Sequence, residues 1–172
     1  RFSIAPVVRE IVSTLWLGRV AQASQPLVAP TPFCVMTERA ELDTFCQQQA
    51  REQGACFADT RGIESLHQSE HSVTLTTREG DSFDAGVLIA ADGAHSPVRK
   101  LLGEHRYPGA IAIEGCVARD QLSRYPGMTL NFGAVKGGYG WLFPKGDHVN
   151  VGLYVWRHGL ANPSRQALDH YS

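Results

Sequence analysis

Apolar positions along this chain recur at two periods, and the changes between them mark its elements. Near the start, "VVREIVSTLWLGRV" carries β-branched residues in loose alternation and predicts a strand, followed by a proline-punctuated connection, "QPLVAPTP". The period then changes. In "TERAELDTFCQQQAREQGA" Leu42, Phe45, Cys46 and Ala50 fall on one face of a helix, with Thr37 as the predicted N-cap and Gly54 as the stop. "ACFADTRGIESLHQ", "HSVTLTTREG" and "DSFDA" return to alternation and read as a three-stranded antiparallel meander, with "REGD" as its second turn. "GVLIAAD" is continuously apolar, as a strand covered on both faces would be. A short helix follows at "SPVRKLLG", with Ser96 at the N-cap and Pro97 in its first turn. From Gly109 onward, "AIAIEGCVA", "GMTLNFGAV", "GYGWLFPKG" and "DHVNVGLYV" are spaced like strands of one sheet, and "NPSRQALDHYS" begins a last helix with a second serine cap. The order predicts an α/β (mixed α+β) chain in which helix-bearing segments join a mostly antiparallel sheet.

Composition narrows the function. The net charge of −1 across 172 residues provides no field for nucleic acid or an anionic surface. No apolar run reaches the ~18–20 residues of a membrane span. Cys34, Cys46, Cys56 and Cys116 are scattered without metal-ligand spacing, so the expectation is reduced, packed thiols in a cytoplasmic setting and no metal.

Two stretches could carry chemistry. In "IAADGAHSPVRK" a strand ends at Asp92-Gly93 and a capped helix starts four residues later. Gly93 lets a ligand approach bare backbone, the helix start favours an anion, and Asp92 could accept from hydroxyl groups. Arg99 adds a cation. The competing reading is an ordinary Asp-Gly turn followed by an ordinary cap. In "GYGWLFPKGDHVNVGL", Tyr139, Trp141 and Phe143 alternate with Gly138, Gly140 and Leu142 on a strand. They could present aromatic faces to an apolar or flat ligand, or pack as core. Gly137, Gly138 and Gly140 speak against a purely structural strand, since glycine weakens one.

These motifs carry a resemblance. "ADGAHSPVRK" after an apolar strand resembles the Asp-Gly motif of FAD-dependent oxidoreductases related to para-hydroxybenzoate hydroxylase, and "MTERAELDTF" resembles the Arg-x-x-Phe/Leu-Asp segment of that family. "YGWLFP" is similar to the YxWxFP signature of its geranylgeranyl reductase branch. The resemblance runs from about Met36 to about Val155. It implies that Arg39, Asp92 and Gly93 contact FAD, and that Tyr139, Trp141, Phe143 and Pro144 line the substrate cavity. Asp43 would answer Arg39 either in that motif or as a plain i,i+4 ion pair. Ala90 replaces a usual glycine. Tyr154 stands where the branch often has a second glycine, and is expected to narrow the cavity or change its shape.

The family also implies a GxGxxG turn for the ADP half of FAD and a second Gly-Asp segment, and these residues contain neither. The expectation is an internal piece of a longer flavoprotein, binding flavin weakly or not at all by itself. It would comprise substrate-domain strands over 1–35, part of a Rossmann-like FAD-binding domain over 36–108, and a substrate-binding sheet over 109–172. The implied activity is FAD-dependent, NAD(P)H-using reduction of C=C bonds in a polyprenyl, geranylgeranyl-type substrate. The alternatives are a flavin monooxygenase acting on an aromatic or polyketide substrate and a non-catalytic ligand-binding domain. Isoprenoid substrates live in bilayers, so the parent could associate peripherally with a membrane, although no amphipathic basic helix here supports that. No catalytic acid is assigned. His95 and His148 are the titrating side chains near the motifs, each read as a solvated loop histidine.

Overall fold

The computed structural model describes residues 3–19, 23–104, 109–156 and 163–171. In chain order the elements are β1 (Val8–Val12), β2 (Thr14–Arg19), β3 (Gln25–Val28), β4 (Cys34–Thr37), α1 (Arg39–Glu52), β5 (Ile63–Gln68), β6 (Val73–Thr77) and β7 (Ser82–Ala85). Then come α2 (Pro97–Leu101), β8 (Ala110–Ala118), β9 (Thr129–Phe132), β10 (Gly138–Pro144), β11 (His148–Trp156) and α3 (Arg165–Tyr171). The mixed α/β class is the observed one. The chain divides into two units, Arg1–Gly54 with Gly109–Ser172, and Ala55–Pro108. Helix α1 therefore groups with the strands of the first unit.

That first unit is built on a six-stranded sheet of order β3-β2-β9-β10-β11-β8, antiparallel throughout except where β2 meets β9. Its core follows from alternation along β11. Val149, Val151, Leu153 and Val155 point to one face and are at most 3% exposed, and Leu168 of α3 forms one buried cluster with the first three. Each such side chain contributes roughly 1.5–3 kcal/mol when fully buried. The opposite face of β11 carries Asn150, Gly152 and Tyr154. Helix α3 opens as the sequence indicates, with Ser164 Oγ accepting from the Ala167 amide at 3.1 Å. Strands β1 and β4 form a separate antiparallel pair.

The second unit is the predicted meander, order β5-β6-β7, followed by α2. The buried Thr77 hydroxyl accepts from the Asp81 amide at 3.2 Å and closes the "REGD" turn.

Several expectations change. "VVREIVSTLWLGRV" is two strands broken at Ser13, because β1 pairs with β4 whereas β2 enters the large sheet; Val20 lies outside the described residues. Part of the proline-rich connection is β3, an edge strand, where Pro26 leaves no ladder amide missing. Thr37 ends β4, and Glu38 occupies the N-cap of α1. Residues 87–91 form no strand: Val87 is 77% and Ile89 83% exposed, since no described strand lies beside them to complete a ladder. The cysteines are free, yet Cys46, Cys56 and Cys116 are exposed rather than packed.

Candidate functional site

The aromatic segment settles into a regular paired strand. In the β10–β11 ladder Tyr139 lies opposite Tyr154, Trp141 opposite Gly152, and Phe143 opposite Asn150. Alternation puts these side chains on the sheet face away from the Val149–Val155 core. Rings meet in sequence across that face. Phe132 of β9 is 6.0 Å from Tyr139, Tyr139 stacks on Tyr154 at 5.1 Å and 26°, and Tyr154 meets Trp156 edge-on at 5.1 Å. Along β10, Tyr139 is 6.3 Å from Trp141, which is 5.9 Å from Phe143. These separations suit attractive tilted and offset pairs.

Trp141 anchors the row. It is 7% exposed, and its Nε1 donates to Asn150 Oδ1 at 2.7 Å, so the polar edge is satisfied while the ring lies over Gly152. A Cβ on Gly152 would enter that ring. The wall stays open at its ends, where Phe132 is 47% and Trp156 54% exposed. Pro144 closes the strand and is buried. The row thus brings together Tyr139, Trp141 and Phe143 of the motif and adds Phe132, Tyr154 and Trp156, whereas Pro144 lies opposite Val149 on the core face. Sequence reading did not place Phe132 and Trp156 in it, because only cross-strand register shows that they are neighbours of Tyr139 and Tyr154.

Two of the glycines in this strand have packing reasons. Gly140 faces the other side, where a Cβ would strike the ring of Tyr171 from α3, and a Cβ on Gly138 would strike the Tyr154 backbone. Burial pushes the Tyr171 hydroxyl up to about 12. Of the three glycines, only Gly137 has positive φ. The bare backbone at Gly140 and Gly152 therefore receives rings of this same chain, and Gly138 receives the Tyr154 backbone.

Arg39 begins α1 in the same unit. Its guanidinium is 86% exposed and pairs with Asp43, Nε lying 2.8 and 2.7 Å from the two carboxylate oxygens. An exposed i,i+4 pair is worth a few tenths of a kcal/mol at most, so its cation is readily re-partnered.

Asp92 and Gly93 lie in the second unit. Asp92 Oδ2 accepts from the Val98 amide at 3.1 Å and Ser96 Oγ from the Arg99 amide at 2.9 Å, so two amides at the start of α2 are taken by the chain's own side chains. The Ser96 hydroxyl and the Val98 amide hold the Asp92 carboxyl below its usual range. Arg99 Nη2 donates to the Ala94 carbonyl at 2.6 Å. Gly93 sits at φ +82 with open space where a Cβ would be, so its backbone is approachable. Taken separately, the exposed guanidinium of Arg39 in the first unit and the bare backbone at Gly93 in the second are each open to an anionic group, whereas Asp92 is engaged as a helix cap. His95 is exposed as expected. His148 is not a solvated loop residue; it opens β11 with its side chain 19% exposed, between Glu38 and Asp147.

Comparison with known proteins shows the family. The family described as FAD binding domain matches residues 6–118. Menaquinone reductase of Mycobacterium tuberculosis is 33% identical over 143 residues, 76% of this chain and 34% of that protein. Geranylgeranyl diphosphate reductase of Synechocystis sp. is 36% identical over 133 residues, 68% of this chain and 33% of its own length. The chain spans about a third of the length of the curated relatives it matches. Among solved structures, Klebsiella pneumoniae HpxO complexed with FAD and uric acid superposes with a TM-score of 0.62 at 21% identity, over 96% of this chain and 45% of that one. No described helix is long and apolar enough to cross a membrane.

Proposed function

This chain belongs to the FAD binding domain family, and on that premise we propose that it is the middle part of a longer flavin-dependent oxidoreductase that reduces C=C bonds of a polyprenyl substrate. The observation that carries the reading is the continuous aromatic face of β9, β10 and β11, open at Phe132 and Trp156. A long unsaturated hydrocarbon lies well against such a face, because it offers area without polar groups to desolvate. Similarity to reductases named for geranylgeranyl diphosphate and menaquinone, both prenyl-bearing, supports it.

In this reading FAD, when bound, supplies the two-electron chemistry, with NAD(P)H as the source of electrons. The chain's own residues bind, orient and exclude water. The Arg39 guanidinium would exchange Asp43 for an anionic group of the cofactor, and the Gly93 backbone would admit close approach. Asp92 works at one remove, holding the α2 start and thereby the Gly93 loop. Tyr139, Trp141 and Phe143 form the apolar wall, and Pro144 fixes its end. The hydrogen bond from Trp141 to Asn150 stops the indole from turning a polar edge toward the substrate.

A second reading is favoured by one feature. Tyr154 stacked on Tyr139 makes part of the wall flat, which suits a planar aromatic substrate and oxygen-dependent hydroxylation. One anaerobic experiment separates the two. The complete protein is reduced with NADPH and mixed with geranylgeranyl diphosphate or menaquinone while the visible flavin band is followed. Return of the oxidised band without oxygen supports the reductase. A band that returns only when air and an aromatic substrate are admitted, with oxygen incorporated into that substrate, supports the hydroxylase.

A further inference from the structure

The segment after the aromatic strand, Pro144-Lys145-Gly146-Asp147-His148, directs two basic side chains at the start of α1. Glu38 holds the N-cap position with extended backbone, φ −83 and ψ 130, yet its side chain makes no capping hydrogen bond. The short side chains favoured at that position accept from the first helical amides, and Glu38 does not. Instead, Glu38 Oε1 is sealed from solvent with no conventional hydrogen bond, 3.2 Å from His148 Nε2 and 3.6 Å from Lys145 Nζ. Lys145 Nζ also donates to the Thr37 carbonyl at 2.5 Å. The Lys145 and His148 side chains are 18% and 19% exposed and that of Glu38 31%, so this is a largely desolvated cluster rather than a surface pair. His148 Nδ1 lies 2.7 Å from Asp147 Oδ1.

The turn that carries the two basic groups is itself held. The Gly146 amide donates to the Tyr125 hydroxyl at 2.7 Å, and Arg119 donates to the Gly146 carbonyl at 3.1 Å while lying 4.3 Å from the Tyr125 ring centre. From the other side, Arg9 of β1 pairs with Glu41 in the first turn of α1. The first turn of α1 is thus fixed at Glu38 and Glu41, on either side of Arg39.

Resting on the reading that Arg39 holds the flavin, we infer that Glu38 and Lys145 are positioning residues, which lock the first turn of α1, and so Arg39, to the hairpin that carries the aromatic wall. The physical reason is the cost of separating them. A carboxylate oxygen sealed from water and lacking hydrogen bonds is compensated by its basic neighbours, and removing Lys145 leaves it with His148 alone. The chain gives up a side-chain cap to make this contact, whose effect is to register one helix start against one turn.

The test is FAD affinity in the complete protein, by flavin fluorescence titration, for Glu38→Gln, Lys145→Met, the double variant, Lys145→Arg and Arg39→Ala. Each charge-removing single variant is expected to bind FAD on the order of tenfold more weakly. The double variant should be no weaker than the singles, because the two act as one unit. Lys145→Arg keeps the charge and its donors, and should stay within about twofold of wild type. Near-ultraviolet circular dichroism identifies any variant that fails to fold, and the comparison of Lys145→Met with Lys145→Arg then decides. Wild-type affinity in Glu38→Gln and Lys145→Met beside a weakened Arg39→Ala overturns the positioning role alone. Wild-type affinity in Arg39→Ala removes the reading beneath it, and the positioning role falls with it.

Discussion

Replacing Gly152 with alanine tests the wall at its tightest point. A Cβ at this position would lie under 3.0 Å from Cζ2, Cε2 and Cη2 of Trp141, closer than side-chain carbons approach one another. Favourable carbon–carbon contacts begin near ~3.5 Å, so the indole has to retreat. It has nowhere easy to go. Its Nε1 is bonded to Asn150 at 2.7 Å, Tyr139 and Phe143 stand 6.3 and 5.9 Å away, and only 7% of it is exposed. Over-packing of this kind costs ~1–3 kcal/mol. Loss of the indole hydrogen bond adds ~0.5–1.5 kcal/mol. Together they come to about 1.5–4.5 kcal/mol. Urea denaturation of the complete protein, followed by near-ultraviolet circular dichroism, should show a lower midpoint at unchanged slope. Adding Trp141→Leu should recover part of the loss, because the clash and its target disappear together. A Gly152→Ala protein within about 0.5 kcal/mol of wild type would refute the packing of Trp141 on bare backbone.

Three further expectations follow from the same geometry. Gly140→Ala places a Cβ within 2.7–2.8 Å of two Tyr171 ring carbons, and should loosen α3, read as faster hydrogen exchange over 165–171; unchanged protection there would count against that docking. The Asp92 carboxyl is held below its usual range, chiefly by the Ser96 hydroxyl, so its contribution is present above the ordinary aspartate range near ~3.9 and is lost as pH falls through the lowered folded value. Asp92→Asn should therefore flatten the acid dependence of protection at α2, and an identical acid profile would oppose the cap. The Tyr171 hydroxyl is raised to about 12, so its contribution is complete below the ordinary tyrosine value near ~10 and disappears as pH rises through the folded one. An ultraviolet titration of wild type against Tyr171→Phe should assign one late-ionising tyrosine to this position.

Much of the scaffold was legible because its signals are local. Val149, Val151, Leu153 and Val155 alternate so regularly that strand, face and core follow from the sequence, and β8 spans Ala110–Ala118 as its apolar run implies. Less legible features depend on partners distant in sequence. Gly140 and Gly152 look like loosened backbone until Tyr171 and Trp141 are seen against them. Residues 87–91 have the composition of a buried strand, but burial needs neighbouring strands, and none of those described pairs with them. His148 reads as a loop histidine because Glu38, which holds it, is 110 positions earlier in the chain (148 − 38). In the candidate site, the alternation of Tyr139, Trp141 and Phe143 already placed them on one face. The extension through Phe132, Tyr154 and Trp156 needed the register of three strands.

The most direct test of the central claim is photo-crosslinking of the complete, FAD-loaded protein with a diazirine-bearing geranylgeranyl diphosphate, followed by peptide mapping. Adducts on Phe132, Tyr139, Tyr154 or Trp156, suppressed by unlabelled geranylgeranyl diphosphate, are the predicted result. Competed labelling that leaves the whole stretch from Thr129 to Trp156 untouched would contradict the account, because the lipid would then be bound somewhere other than the aromatic face.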